Sequence, residues 1–121
     1  MAKILIVDDE KNIAGIFQKA VESMGHIAIK SRNGRIAWDV LSDNPEIKLL
    51  ITDFAMPEMD GEELIGLIRK DNYISGIPIL IVSGVMRAKD ISNLLKEGAT
   101  AFLPKPVIMK DLKQFINKYI S

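Results

Sequence analysis

Five side chains in this sequence are of the right types to do chemistry together. They are the adjacent carboxylates Asp8 and Asp9, a third carboxylate at Asp53, the hydroxyl of Ser83 and the ammonium of Lys105. Three carboxylates gathered on one rim repel one another, which raises their pKa values unless a cation intervenes. A hard divalent cation, Mg²⁺ by preference, takes oxygen ligands and keeps waters and an open position for a phosphate oxygen. A lysine and a small hydroxyl opposite it would hold the other oxygens of a phosphoryl group. With Asp53 as nucleophile, the set suits phosphoryl transfer, where positioning and charge neutralisation supply most of the catalysis. Each piece alone has a plainer reading: Asp8 and Asp9 as helix caps, Asp53 and Ser83-Gly84 as turn residues, Lys105 as a solvated cation. The chemistry depends on the fold bringing them together.

The chain alternates between two hydrophobic periods. Ile4–Val7, Lys48–Ile51 and Ile79–Val82 are short, largely β-branched apolar runs, suited to strands buried on both faces. Ile27–Ile29 and Ala101–Leu103 are shorter candidates. Between them lie apolar residues at helical spacing. The first stripe is Ile13, Ile16, Phe17, Ala20, Val21 and Met24, followed by Gly25, a residue favoured at helix C-termini. The second is Ile36, Ala37, Val40 and Leu41, ended by Asn44-Pro45. The third, Leu64, Ile65, Leu67 and Ile68, opens on a capping-box pattern with Asp60 as N-cap and Glu63 three residues on. The fourth is Ile91, Leu94 and Leu95, stopped at Gly98; the fifth, Leu112, Phe115, Ile116, Tyr119 and Ile120, runs to the end.

Strand and helix thus alternate five times. That order predicts an α/β fold, a doubly wound (βα)5 of flavodoxin-like type, with a five-stranded parallel sheet of order 2-1-3-4-5. In such sheets the ligand site lies at the C-terminal ends of the strands, near the switch in strand order. Asp8-Asp9-Glu10 follow strand 1, Thr52-Asp53 follow strand 3, Ser83-Gly84 follow strand 4 and Lys105 follows strand 5. The predicted rim therefore gathers the groups listed at the outset.

Composition removes several other chemistries. The chain has 121 residues, enough for one domain with its own core, and 48% are hydrophobic against 26% charged. Lys plus Arg is 16 and Asp plus Glu is 16, so no net field favours direct nucleic-acid binding. There is no cysteine, hence no disulfide, thiolate nucleophile or Cys-ligated metal, and the one histidine, His26, rules out a multi-His centre. No run approaches the roughly 20 apolar residues of a spanning helix, and the four after Lys3 are too few for a signal peptide. The expectation is a cytoplasmic protein that does not bind membranes.

The residues resemble the response-regulator receiver domain of two-component signalling, and the single-domain chemotaxis regulators within that family. The resemblance covers residues 1–121. It rests on Lys3-Ile4-Leu5-Ile6-Val7-Asp8-Asp9-Glu10, on Asp53-Phe54-Ala55-Met56-Pro57-Glu58-Met59-Asp60-Gly61, and on Lys105-Pro106. It implies that Asp53 is the phosphorylation site, taking the phosphoryl group from a histidine kinase or phosphotransfer protein. It implies that Mg²⁺ is held by Asp9, Asp53 and the Ala55 carbonyl, with Asp8 acting through water. It implies that Lys105 pairs with the phosphoryl group, that Ser83 is the switch hydroxyl and Phe102 the switch aromatic, and that the Lys105-Pro106 bond is cis. Such a domain promotes only its own phosphorylation and dephosphorylation and is not an enzyme on other substrates. The implied readout surface is helix 4, strand 5 and helix 5, with Arg87, Lys89, Lys96, Lys110 and Lys113 facing solvent. With no output domain in the chain, the implied partner is a downstream protein, a phosphorelay protein or a second copy.

The sequence departs from the commonest receiver pattern in having Ser rather than Thr at 83 and Phe rather than Tyr at 102, and the small Ala55 leaves water access to an acyl phosphate at Asp53. Two rival readings fit less well. A haloacid-dehalogenase-like phosphatase wants a second acid two residues after the nucleophile, where this chain has Ala55. A flavodoxin-like FMN carrier wants a hydroxyl-rich phosphate loop after strand 1, where Asp8-Asp9-Glu10 would repel the phosphate.

Overall fold

Ten elements alternate without exception in the computed structural model, which describes residues 1–120. They are β1 (Lys3–Val7), α1 (Lys11–Ser23), β2 (Ile27–Ser31), α2 (Gly34–Asp43), β3 (Leu49–Asp53), α3 (Gly61–Lys70), β4 (Ile79–Ser83), α4 (Ala88–Glu97), β5 (Ala101–Pro104) and α5 (Met109–Tyr119). The strands form one sheet of order β2-β1-β3-β4-β5, every pair parallel. This is the doubly wound, flavodoxin-like arrangement expected from the alternation. The fifth helix ends at Tyr119, with Ile120, the last residue of its expected stripe, at the C-cap; Ser121, to which the helix was expected to run, lies outside the described residues.

Alternating side chains divide the core into two layers, as strand geometry demands. Leu5, Val7, Leu50, Ile79 and Ile81 pack under α2, α3 and α4, against Leu41, Leu64, Ile68 and Leu94. Ile4, Ile6, Leu49, Ile51, Leu80 and Val82 pack on the other side, against α1 and α5 through Phe17, Val21, Leu112 and Ile116. The residues of β3 and β4 are buried throughout, so these strands read as unbroken apolar runs until their last, polar positions. The edge strand β2 starts with exposed Ile27.

The helix ends follow local chemistry. Asp60 caps α3, its carboxylate accepting the Glu63 N–H at 2.9 Å. Gly25 (φ 83°) and Gly98 (φ 125°) take the positive φ that follows α1 and α4. Asn33 caps α2 by accepting the Ile36 N–H at 2.9 Å, an N-cap absent from the sequence reading. Ile16, Leu67, Leu95 and Tyr119 belong to the helical stripes yet are exposed, because each lies at the margin of the strip that the short strands cover.

Candidate functional site

The rim at the C-terminal ends of β1, β3, β4 and β5 collects the predicted groups. Asp8, one residue past β1, is buried, as is Asp53, the last residue of β3; Asp9, which follows Asp8 in the loop before α1, is exposed. One carboxylate oxygen from each of Asp8, Asp9 and Asp53 lies within 4.8 Å of the others. That spacing of hard oxygen donors fits a single hard cation. Asp8 is held by a local turn, its Oδ1 accepting the Glu10 N–H at 2.9 Å, so it does not serve as the side-chain cap of α1; the N-cap position is Glu10, which makes no cap bond.

Lys105 reaches into this cluster from the end of β5. Its Nζ is 3.0 Å from Asp8 Oδ2 and 3.4 Å from Asp53 Oδ2. The backbone seats it there: its N–H donates to the Ser83 carbonyl at 3.0 Å, and the Lys105-Pro106 bond that follows is cis, as the resemblance implies. Burial opposes the ammonium's charge, but the hydrogen bond to Asp8 and the charges of Asp53 and Asp8 outweigh it, and the Lys105 pKa stands above its usual value. Asp53 is also pushed up. Burial is the main cause and repulsion from Asp8 adds to it, against attraction from Lys105 and a 2.8 Å hydrogen bond from the Phe54 N–H to Oδ1.

Ser83 is buried at the end of β4, its Oγ accepting the Val85 N–H at 3.3 Å. It is one residue past Val82, the register partner of Asp53. Phe102 is not part of the acid cluster. It pairs in register with Ile81, so it shares a sheet face with Ile81 and Ser83, and it packs half-buried on the layer under α3 and α4. Ala55 is exposed in the loop two residues after Asp53.

The model of the response regulator receiver domain family matches residues 4–117 of this chain. The chain belongs to the response regulator receiver family. A chemotaxis protein CheY homolog of Campylobacter jejuni is 33% identical over 113 residues, 93% of this chain and 87% of that protein. Chemotaxis protein CheY1 of Helicobacter pylori is 32% identical over 113 residues, 93% of this chain and 91% of that protein. Among solved structures, a response regulator receiver domain from Clostridium thermocellum superposes with a TM-score of 0.91 at 29% identity, covering 99% of this chain and 94% of that one. The chemotaxis response regulator CheY4 of Vibrio cholerae superposes with a TM-score of 0.91 at 25% identity, covering 99% of each chain.

This is therefore a CheY-like receiver domain of two-component signalling, a signalling module whose acidic cluster has the composition of a cation site. The sequence reading missed the receiver's support on the β2 side. The Asp8 N–H donates to the Ser31 carbonyl at 3.0 Å, the Ser31 hydroxyl donates to the Asn33 carbonyl at 3.0 Å, and the Gly34 N–H donates to the Met59 carbonyl at 3.1 Å. The available signal was Asn33-Gly34 after a strand, a dipeptide that marks a turn.

Proposed function

We propose that residues 1–121 act as one receiver domain in which Asp53 accepts a phosphoryl group from a phosphohistidine on a histidine kinase or phosphotransfer protein. The observation that carries this reading is the Lys105 ammonium set between Asp8 and Asp53 inside a cluster of three carboxylates. One Asp53 oxygen, Oδ1, is occupied by the Phe54 N–H, which leaves Oδ2, on the Lys105 side, as the attacking atom. The Asp53 Oδ2–P bond forms in line as the histidine N–P bond breaks, and the imidazole leaves. Lys105 then transfers its pairing from Asp8 toward the phosphoryl oxygens, which carry more charge than the carboxylate they replace. Asp8, Asp9 and Asp53, with the Ala55 carbonyl, are the groups that would hold Mg²⁺, which when bound supplies positive charge to the phosphoryl oxygens.

The acyl phosphate adds charge beside the end of β4, and Ser83 is the hydroxyl placed to answer it. Phe102, on the same sheet face and one strand over, carries the change toward α4. The readout surface is α4, β5 and α5. Arg87, Lys89, Lys96, Lys110 and Lys113 are exposed there, which suits an acidic protein partner, and a second copy of the chain is the other candidate. No helix among the described residues is long and apolar enough to cross a membrane, and the cytoplasm is the compartment that fits a kinase partner.

The test is intact mass after incubation with a small phosphodonor and Mg²⁺, for wild type and Asp53→Asn. One added phosphoryl group on wild type alone, abolished by a chelator, is the expected result. A folded wild type that takes no phosphoryl group from either a small donor or a histidine kinase would overturn the assignment.

A further inference from the structure

The loop 54–60, which follows Asp53 and carries Ala55, is fastened at both ends. At its base the Gly61 N–H donates to the Phe54 carbonyl at 2.7 Å. At its tip the Met59 N–H donates to the Pro57 carbonyl at 2.8 Å, and Glu58 takes a φ of 70°. A glutamate in the left-handed region is unfavourable and persists only where its surroundings over-determine it. What holds the tip lies outside the loop: the Met59 carbonyl accepts the N–H of Gly34, the buried first residue of α2.

Gly34 is a glycine by necessity of space. A β carbon there would overlap the Met59 carbonyl oxygen and stand 3.0 Å from both the carbonyl carbon and the β carbon of Met59. The obstruction includes backbone, which cannot swing aside as a side-chain tip can. Gly34 is also fixed from its other side, because Asn33 caps the helix and accepts the Ser31 hydroxyl, and Ser31 in turn accepts the Asp8 N–H. Three hydrogen bonds, joined through the Asn33–Gly34 peptide bond, thus link Asp8 by way of Ser31, Asn33 and Gly34 to Met59. They join the two acid-bearing loops behind the cluster that those loops share.

We propose that Gly34 is a positioning residue of the phosphoacceptor site: the close approach of α2 to Met59 seats the 54–60 loop, and so sets where Asp53 and the Ala55 carbonyl stand relative to Asp8. The inference rests on the reading of Asp53 and its neighbours as the phosphoacceptor and cation site. Supporting shells of this kind change ligand affinity without touching the ligand.

The experiment compares Gly34→Ala with Gly66→Ala, a helical glycine with open space around its β position. Three quantities are read for each: the Mg²⁺ dissociation constant by calorimetry, the phosphorylation rate by intact mass, and amide exchange in metal-free protein. Ala is the better helix former, so a purely helical effect at either site is neutral or stabilising. The expected result is that Gly34→Ala weakens Mg²⁺ binding and slows phosphorylation by roughly tenfold each, the size of a supporting-shell defect. The Gly61 amide, at the far end of the loop, exchanges faster in that variant, and Gly66→Ala matches wild type in all three. A folded Gly34→Ala with unchanged Mg²⁺ affinity and an unchanged Gly61 amide overturns the proposal. Should Gly34→Ala not fold, Ser31→Ala decides, since it removes one bond of the same run without adding atoms; weakened Mg²⁺ binding supports the brace and unchanged binding overturns it. If wild type takes no phosphoryl group but binds Mg²⁺, the reading of Asp53 fails while the affinity arm still judges Gly34. If it does neither, the proposal falls with that reading.

Discussion

The Lys105 ammonium pairs with two carboxylates and lies closer to Asp8, 3.0 Å from its Oδ2, than to the proposed acceptor Asp53, whose Oδ2 is 3.4 Å away. The lysine is thus already acting as the cation of the acid cluster, and any metal that enters must share the carboxylates with it. Lys105→Met removes that competitor. We expect Mg²⁺ to bind several-fold more tightly to the variant, as an uncompensated like-charge cluster attracts a cation more strongly. Phosphorylation is slowed in the same protein, because the phosphoryl oxygens lose their partner. Calorimetry and intact mass on one sample check both directions, and looser Mg²⁺ binding would refute the competition.

Asp53 carries the opposite lesson for stability. Its pKa in the folded protein is raised, chiefly by burial and further by Asp8, so its ionised form disfavours folding. With a folded value above the unfolded one, that penalty is absent below the ordinary carboxylate pKa and complete once pH exceeds the raised value. Asp53→Asn is therefore expected to raise Tm at pH 7 in chelator by a few degrees, at about 4 °C per kcal/mol for a chain of this size. The advantage should fade as pH falls through the carboxylate range, and Mg²⁺ should stabilise wild type more than the variant. Thermal melts at pH 7 and pH 3, with and without Mg²⁺, read all of this.

Ala55 is exposed two residues beyond Asp53, the proposed acceptor, and its small side chain leaves the surface there open to water. A bulky side chain there should shield the acyl phosphate. Ala55→Leu is expected to lengthen its half-life several-fold, followed by the decay of the added mass after donor removal. A half-life equal to wild type would mean that water reaches phosphorus by another route.

Arg69 is a structural clamp. Its guanidinium donates to the Gly98 carbonyl from Nε at 2.9 Å and from Nη2 at 2.6 Å, and from Nη1 to the Ser75 and Ile77 carbonyls, each at 2.7 Å. Arg69→Met should cost about 2–4 kcal/mol, since it strands carbonyls that a charged donor had satisfied. Arg69→Lys should recover little, because an ammonium cannot copy the planar fork. Urea denaturation measures the loss, and amide exchange at the C-terminal turn of α4 should rise well ahead of exchange in β3.

How much could be read without coordinates depended on where the information lay. The strands β1, β3 and β4 announced themselves because both their faces are covered, which leaves no room for polar residues before the rim. The site followed from the same fact: the polar residues that close each run mark where the strand reaches the rim, and Asp8, Asp53 (one place after Thr52) and Ser83 all sit there. The exposure of Ile16 and Leu95 was not legible, since periodicity sets the phase of a helix but not the width of the strip its neighbours cover. Nor was the work of Arg69, whose partners are carbonyls that every residue possesses. The Gly34–Met59 approach was hidden most deeply, being backbone against backbone across 25 positions and made possible by an absent side chain.

Of the ten residues in α4, only Leu94 is buried, and burying one leucine is worth about 1.5–3 kcal/mol. Its C-terminal end is pinned where Arg69 grips Gly98; its N-terminal end, toward Ser83, has no comparable fastening among the described hydrogen bonds. Such a helix is a lever with its fulcrum at one end. It is about 15 Å long, so a tilt of roughly 10° would sweep the loose end through ~3 Å. A small rearrangement at the rim can then be enlarged mechanically at the surface, with the sheet standing still beneath it.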